Sequence, residues 1–257
     1  MKTLRLHSQS NATRWLFDPL VMAFVAMLLL AAGMPMLQPL FAAAFPDLDR
    51  PIYLQDSFLD LLGAHAALVG ASSLAAVAVG VSCGWFVTRP AGREFRPLVE
   101  MLVAAGQTVP PVAVLAVAAP LIGFGYWPAL IALALYGVLP VLRGTVAGIE
   151  SVPRDVLDAA RGLGLTGWQT LRAAELPLAL PVLLAGVRTS VVINIGTAAI
   201  ASTVGARTLG SPIIIGLAGF NAAYVLQGAL LVGALALVVD LGFERLGRRL
   251  QRWRIGT

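Results

Sequence analysis

Six stretches of the chain are apolar almost without interruption, and the polar residues gather between them. They cover roughly residues 20–45, 61–88, 98–124, 127–149, 178–204 and 222–243. An α-helix needs about 20 apolar residues to cross the hydrocarbon core of a bilayer, and each stretch reaches that length. In lipid every backbone polar group must be satisfied within the protein, which leaves helices as the spanning element for runs of this length. The pattern predicts an all-α membrane protein of about six transmembrane helices.

Prolines and glycines subdivide the runs. Pro35 and Pro39 are expected to kink or end the first, since proline removes a helical donor and crowds the preceding turn. A basic segment precedes that run and Ala42-Ala43-Ala44 resembles a signal-cleavage zone, but the run exceeds a usual signal core, so an uncleaved first helix is expected. Gly80 and Gly84, four apart in the second run, allow close helix approach. Pro110-Pro111 interrupts the third run, and Pro140 lies inside the fourth. Only Gly125 and Tyr126 separate these two, which predicts a hairpin. The semi-apolar stretch 205–221 reads as a re-entrant loop or a short helix. No internal repeat stands out.

Composition supports the membrane reading: 58% of residues are hydrophobic and only 12% charged, against about 25% charged in a typical soluble domain. The net charge of +5 would point to nucleic acid in a soluble chain. Here the basic residues follow membrane orientation instead. With the N-terminus inside, 16 of the 18 Lys and Arg residues fall on the cytoplasmic side, and only Arg50 and Arg207 fall outside. By the positive-inside rule both termini are expected in the cytoplasm.

Reaction chemistry finds little purchase. A nucleotide-binding P-loop needs a lysine after its glycines, and Lys2 is the only lysine. Gly162, Gly164 and Gly167 match a dinucleotide spacing, but they lie in a loop between membrane runs and follow no strand. Asn11-Ala12-Thr13 fits a glycosylation pattern on the side read as cytoplasmic. Cys83 is the single cysteine, so no internal disulfide forms, and with two histidines no metal cluster has the required spacing. No catalytic residue, metal ligand or bound cofactor is expected in this chain.

No run has a carboxylate near its centre, which argues against a proton-coupled carrier. Glu100, Arg143 and Asp240 read as interfacial positions, and His65 and Arg188 as groups near helix ends. Gln107, Thr108, Tyr136, Asn194 and Thr197, with Ser202 and Thr203, are the polar groups near helix interiors. They either line a pathway or bond between helices, and sequence does not separate the two.

The polar segment 150–175 is the most informative. Pro153 suits a first helical turn, Asp155 favours the positive end of the helix, Ala159-Ala160 allows close docking, and Gly164 is placed to end the helix. The segment resembles the Glu-Ala-Ala loop of ABC importer permeases, in which that triplet is followed by a spaced glycine and a Leu-Pro pair. Here it reads Asp158-Ala159-Ala160, Gly164, then Ala174-x-Leu176-Pro177. Asp replaces Glu at 158 and Ala an aliphatic residue at 174, and the spacing is kept.

The resemblance extends to Gln107-Thr108-Val109-Pro110-Pro111, Leu135-Tyr136-Gly137-Val138-Leu139-Pro140 and Gly186-Val187-Arg188-Thr189-Ser190 through Ala198. These segments are similar to glycine betaine/choline permeases of the ProW and OpuC types, and most similar to the YehW-like branch. The resemblance covers residues 57–245, and implies a type I permease core there. Residues 1–56 then form a tail, a first helix and a periplasmic segment, and 246–257 a basic cytoplasmic tail. It further implies import of glycine betaine or a related quaternary amine by alternating access. ATP-Mg would be bound by partner ATPase subunits docked on Asp158, Ala159, Ala160, Gly164, Leu176 and Pro177. A second permease copy or sister permease, a periplasmic binding protein and membrane lipid complete the implied partners, in the inner membrane. A permease for another solute such as an amino acid or sulfonate, a secondary carrier, and a membrane scaffold without transport activity are the alternatives.

Overall fold

The structure, a computed structural model, describes residues 18–255, with side chains as far as residue 250. Lys2, Arg5, Arg14, the Asn11 triplet and the side chains of Arg252 and Arg254 therefore lie outside the described residues.

The chain is helical along nearly all of the described length. Helix α1 spans Pro19–Gly33; Asp18 caps it by accepting a 3.0 Å bond from the Leu20 amide, and Pro19 occupies the first turn, where its missing donor costs nothing. Met34–Leu37 tightens into a 3₁₀ turn at Pro35, and α2 spans Gln38–Ala44 beyond it. The expected proline break is there, yet the two pieces together form one apolar span, Pro19–Ala44. Met27, Ala31, Met34 and Phe41 bury this span in the core.

Helix α3 covers Phe58–Val87. The third apolar run is two helices, α4 at Arg96–Thr108 and α5 at Pro111–Ile122, bent by 86°. The cause is local: Val109 precedes a proline, which drives it out of the helical region to an extended φ −75°, ψ 122°. At about 1.5 Å per residue neither half alone crosses a bilayer core. Among the described residues there are thus five helices long and apolar enough to span, or six with the bent pair counted as one.

After Gly123 and Gly125, both at positive φ, comes α6, Tyr126–Glu150. Helix α7 spans Arg154–Gly162 and α8 Gly167–Thr170, followed by a π-helical turn, Leu171–Glu175. Helix α9, Leu176–Thr197, passes into a long 3₁₀ turn, Ala198–Val204. The stretch 205–221 holds a short helix, α10, Gly210–Ala218. Helix α11 runs Ala222–Ile255, past residue 243, where the sixth apolar run ends, and into the 246–257 stretch read as a basic tail.

Helix α6 is the centre of the bundle, packed between α3 and α9. Its other neighbours are α4 and α5, while α1 lies against α11 and α3. Arg245 of α11 pairs with Asp18 at 2.6 Å, which puts the start of α1 and the far part of α11 at the same end of the bundle. Arg89–Glu175, Arg96–Glu150 and Arg188–Asp240 lie at that end too.

The opposite end is tied by polar bonds to α11. Buried Gln227 accepts from the Tyr53 amide at 3.1 Å and donates to the Pro51 carbonyl at 2.7 Å. Tyr53 donates to Asp56 at 2.8 Å, and Arg207 donates to the other Asp56 oxygen at 2.7 Å. Burial, and then the bond to the Asp56 carboxylate, push the Tyr53 hydroxyl well above its ordinary pKa.

Candidate functional site

The Asp158-Ala159-Ala160 segment forms α7. Pro153 takes the cap position with ψ 138°, and Asp155 falls in the first turn, as suits the positive end of a helix dipole. Gly164 adopts φ +77°, a left-handed conformation that glycine enters without penalty. Around it the Leu165 amide donates to the Ala160 carbonyl at 3.1 Å, the six-to-one bond of a Schellman cap. The chain then turns into α8, capped reciprocally by Thr166 and Gln169.

This helix has two faces. Ala160 is 5% exposed and packs inward. Asp158, Ala159, Gly162 and Gly164 are exposed, and so are Leu163 at 80% and Trp168 at 58%. Leu176 and Pro177 are exposed as well, at the base of α9.

A two-point clamp fixes the far side of the loop. Glu175, buried at the junction with α9, takes both terminal nitrogens of Arg89, at 2.5 and 3.1 Å. This fork-to-fork geometry is the strong form of an Arg–carboxylate pair. Arg89 also lies over the Trp85 ring at 5.5 Å. Arg96 bonds Glu100 at 2.8 Å and also Glu150, the last residue of α6. The start of α9 is thereby linked to the α3–α4 turn, and the end of α6 to the start of α4. Neither Arg89–Glu175 nor Arg96–Glu150 was visible in sequence, because the partners are far apart along the chain.

The polar residues expected near helix interiors separate into different settings. Gln107 bridges α4 to α6 by donating to the Tyr136 carbonyl at 2.7 Å. Thr108 donates to Ala105 and Thr197 to Ile193, each within its own helix. Asn194 is fully buried between α9 and α3, 3.4 Å from the Ser73 hydroxyl, with its side-chain carbonyl unpartnered. Beside it Ser190 donates to the Gly137 carbonyl at 2.8 Å. His65, read as a group near a helix end, is also fully buried, and its Nε2 lies 3.0 Å from the Ile195 carbonyl. Arg188 holds Asp240 in a bidentate pair at 2.5 and 2.6 Å, joining α9 to α11. No group of three or more His, Cys, Asp or Glu side chains able to hold a metal occurs among the described residues.

A bundle of membrane-spanning helices that presents a clamped loop, with a glycine-ended helix exposed upon it, is the form of an ABC importer permease. The chain belongs to the family of binding-protein-dependent transport system inner membrane components, whose model matches residues 76–252. It is a multi-pass inner-membrane transport subunit. Over 186 residues it is 41% identical to the osmoprotectant import permease protein OsmY of Salmonella typhimurium, covering 72% of this chain and 79% of that one. Over 134 residues it is 45% identical to the glycine betaine/carnitine/choline transport system permease protein OpuCB of Bacillus subtilis, covering 52% of this chain and 62% of that one. In fold it is similar to a chain of the inward-facing MetNI methionine ABC transporter, with a TM-score of 0.67 and 22% identity over 75% of this chain and 95% of that one.

Proposed function

We propose that this permease moves glycine betaine or a related quaternary amine into the cell, driven by ATP hydrolysis on separate subunits. The observation that carries the substrate class is the 41% identity, over 72% of the chain, to a permease named for osmoprotectant import. In this reading the ends of α1 and α11 joined by Asp18 and Arg245 face the cytoplasm, with both termini. ATPase subunits dock on Asp158, Ala159, Ala160 and Gly164, with Leu176 and Pro177 at the base. Residues 57–245 form the permease core, and a second copy or sister permease completes it around the pathway. A periplasmic binding protein delivers substrate at the opposite end.

The pathway follows the break between α4 and α5. Gln107, Thr108 and Tyr136 sit at that break and on the helix it packs against, and Thr197 lies near the end of α9. Buried Asn194 acts between helices in the conformation described, and reaches substrate only as α9 and α3 shift. A trimethylammonium group is usually selected by an aromatic cage. Few aromatic side chains accompany these residues, so selection belongs to the binding protein.

The test is ATP-dependent uptake by the reconstituted complex. Labelled glycine betaine or choline should enter, and proline and methionine should not. Amino-acid uptake with no betaine or choline transport would overturn the substrate and leave the permease assignment standing.

A further inference from the structure

We propose that a basic cleft beneath α7, with the apolar groove beside it, binds an anionic phospholipid whose headgroup bridges α7 to the α3–α4 turn. The proposal rests on reading this end of the bundle as cytoplasmic and α7 as the coupling helix.

The cleft has a volume of about 640 Å³ and is lined by Arg89, Arg93, Arg96, Arg154 and Arg161. Two carboxylates, Glu150 and Glu175, also line it, and both are engaged by Arg96 and Arg89. Arg161 pairs with Asp158. Arg93 and Arg154 form no ion pair among the described residues, and they line the cleft from the α3–α4 turn and from the start of α7. Like charges gathered in one concavity repel, and a counter-ion relieves that repulsion.

Helix α7 is arranged for this. Arg154, Leu157 and Arg161 recur at helical spacing and line the cleft, while Asp158 and Ala159 are exposed. Arg154 and Arg161 are exposed as well, Arg161 pairs with Asp158, and Leu176 lines the neighbouring groove, so the cleft borders the face proposed for the ATPase.

A second cavity of about 280 Å³ adjoins the first and shares Ile149 and Glu175 with it. Val81, Trp85, Leu171, Leu176 and Leu183 make it apolar. Trp85, Phe86 and Phe95 are exposed at this level, as aromatic side chains are at a membrane–water boundary. A cationic chamber continuous with an apolar one, at that boundary, fits a phosphodiester carried on an acyl chain. A soluble anion fills only the first chamber, and a zwitterionic headgroup leaves the excess positive charge uncompensated. Basic pockets between helices on the cytoplasmic side are a general form of lipid site.

The test uses the purified complex of permease and ATPase in detergent. Native mass spectrometry compares short-chain phosphatidylglycerol with phosphatidylcholine of equal chain length. The wild type should retain phosphatidylglycerol. Arg93→Gln/Arg154→Gln, both on exposed side chains, should bind it about thirtyfold more weakly. Arg248→Gln/Arg249→Gln, on α11, should bind it as the wild type does. Equal retention of phosphatidylcholine, or undiminished binding by the Arg93/Arg154 variant, would overturn the site. So would displacement by an equal concentration of glycerol phosphate, which would mark a site for a soluble anion. Binding only after the ATPase is stripped away would assign the cleft to the partner protein. The readout involves no transport, so failure here leaves the substrate proposal intact, and failure of that proposal leaves this one intact.

Discussion

Gly144 of α6 and Gly186 of α9 meet backbone to backbone. A Cβ on Gly144 would lie 2.7 Å from the Gly186 Cα, and one on Gly186 would lie 2.8 Å from the Gly144 Cα. On the other side of α6, a Cβ on Gly80 would lie 2.7 Å from the Val141 Cβ, and one on Gly84 2.7 Å from the Thr145 Cβ. Small residues let membrane helices approach closely enough for dispersion contacts to hold them. Gly186→Val should therefore force α9 from α6 and destabilise the fold by about 1–3 kcal/mol. Gly70, with open space around its Cβ position, is the control. Melting of the purified protein should be lowered by Gly186→Val and not by Gly70→Ala. Equal melting of the two variants would show that this contact does not hold the bundle.

The Arg89–Glu175 pair makes a separate prediction. The Glu175 side chain is 8% exposed and that of Arg89 30%, so the pair is partly dry. Glu175→Ala should cost about 1–3 kcal/mol, since it strips a charged donor of its acceptor. It should also loosen the loop and reduce coupled uptake more than protein level. The exchange Arg89→Glu with Glu175→Arg should recover part of the stability. A melting temperature unchanged by Glu175→Ala would rule out the clamp.

At the opposite end, Gln227→Leu should free the segment around Tyr53. The substitution keeps most of the volume but leaves the Tyr53 amide and the Pro51 carbonyl without their buried partner, at about 1–3 kcal/mol for each group left unpaired. Hydrogen exchange at the Tyr53 amide should accelerate while that of α6 stays slow. Unchanged exchange would mean that other contacts hold the segment.

The spans were legible because lipid imposes a coarse rule: about 20 apolar residues per crossing. The bend at Val109 and the cap at Gly164 were legible for stereochemical reasons, since a residue before proline and a left-handed glycine are local constraints. Gly80 and Gly84 announced their close contact by spacing, but not their partners Val141 and Thr145. Long-range pairs such as Arg188–Asp240 and Gln227–Tyr53 leave no local pattern. Asn194 and Thr197 looked alike as polar residues near a helix interior, and only the packing separates the buried one from the other. Helix α11 ran on past residue 243 because its basic stretch interrupts the hydropathy without breaking the helix, supported by Glu244 and Arg248 at i,i+4.

Ala159 and Ala160 lie on different faces of α7, the helix proposed to dock the ATPase, and they offer the most direct test of the central claim. Ala160 is buried, so Ala160→Arg should destabilise the loop itself. Ala159 is exposed, so Ala159→Arg should leave the fold unchanged while obstructing the face proposed for the ATPase. The measurement is ATP-dependent uptake of labelled glycine betaine by proteoliposomes holding equal amounts of wild-type or Ala159→Arg complex, with melting temperature recorded alongside. The account predicts uptake by the wild type, loss of most of it in the variant, and equal melting temperatures. Wild-type uptake by a folded Ala159→Arg complex would contradict it.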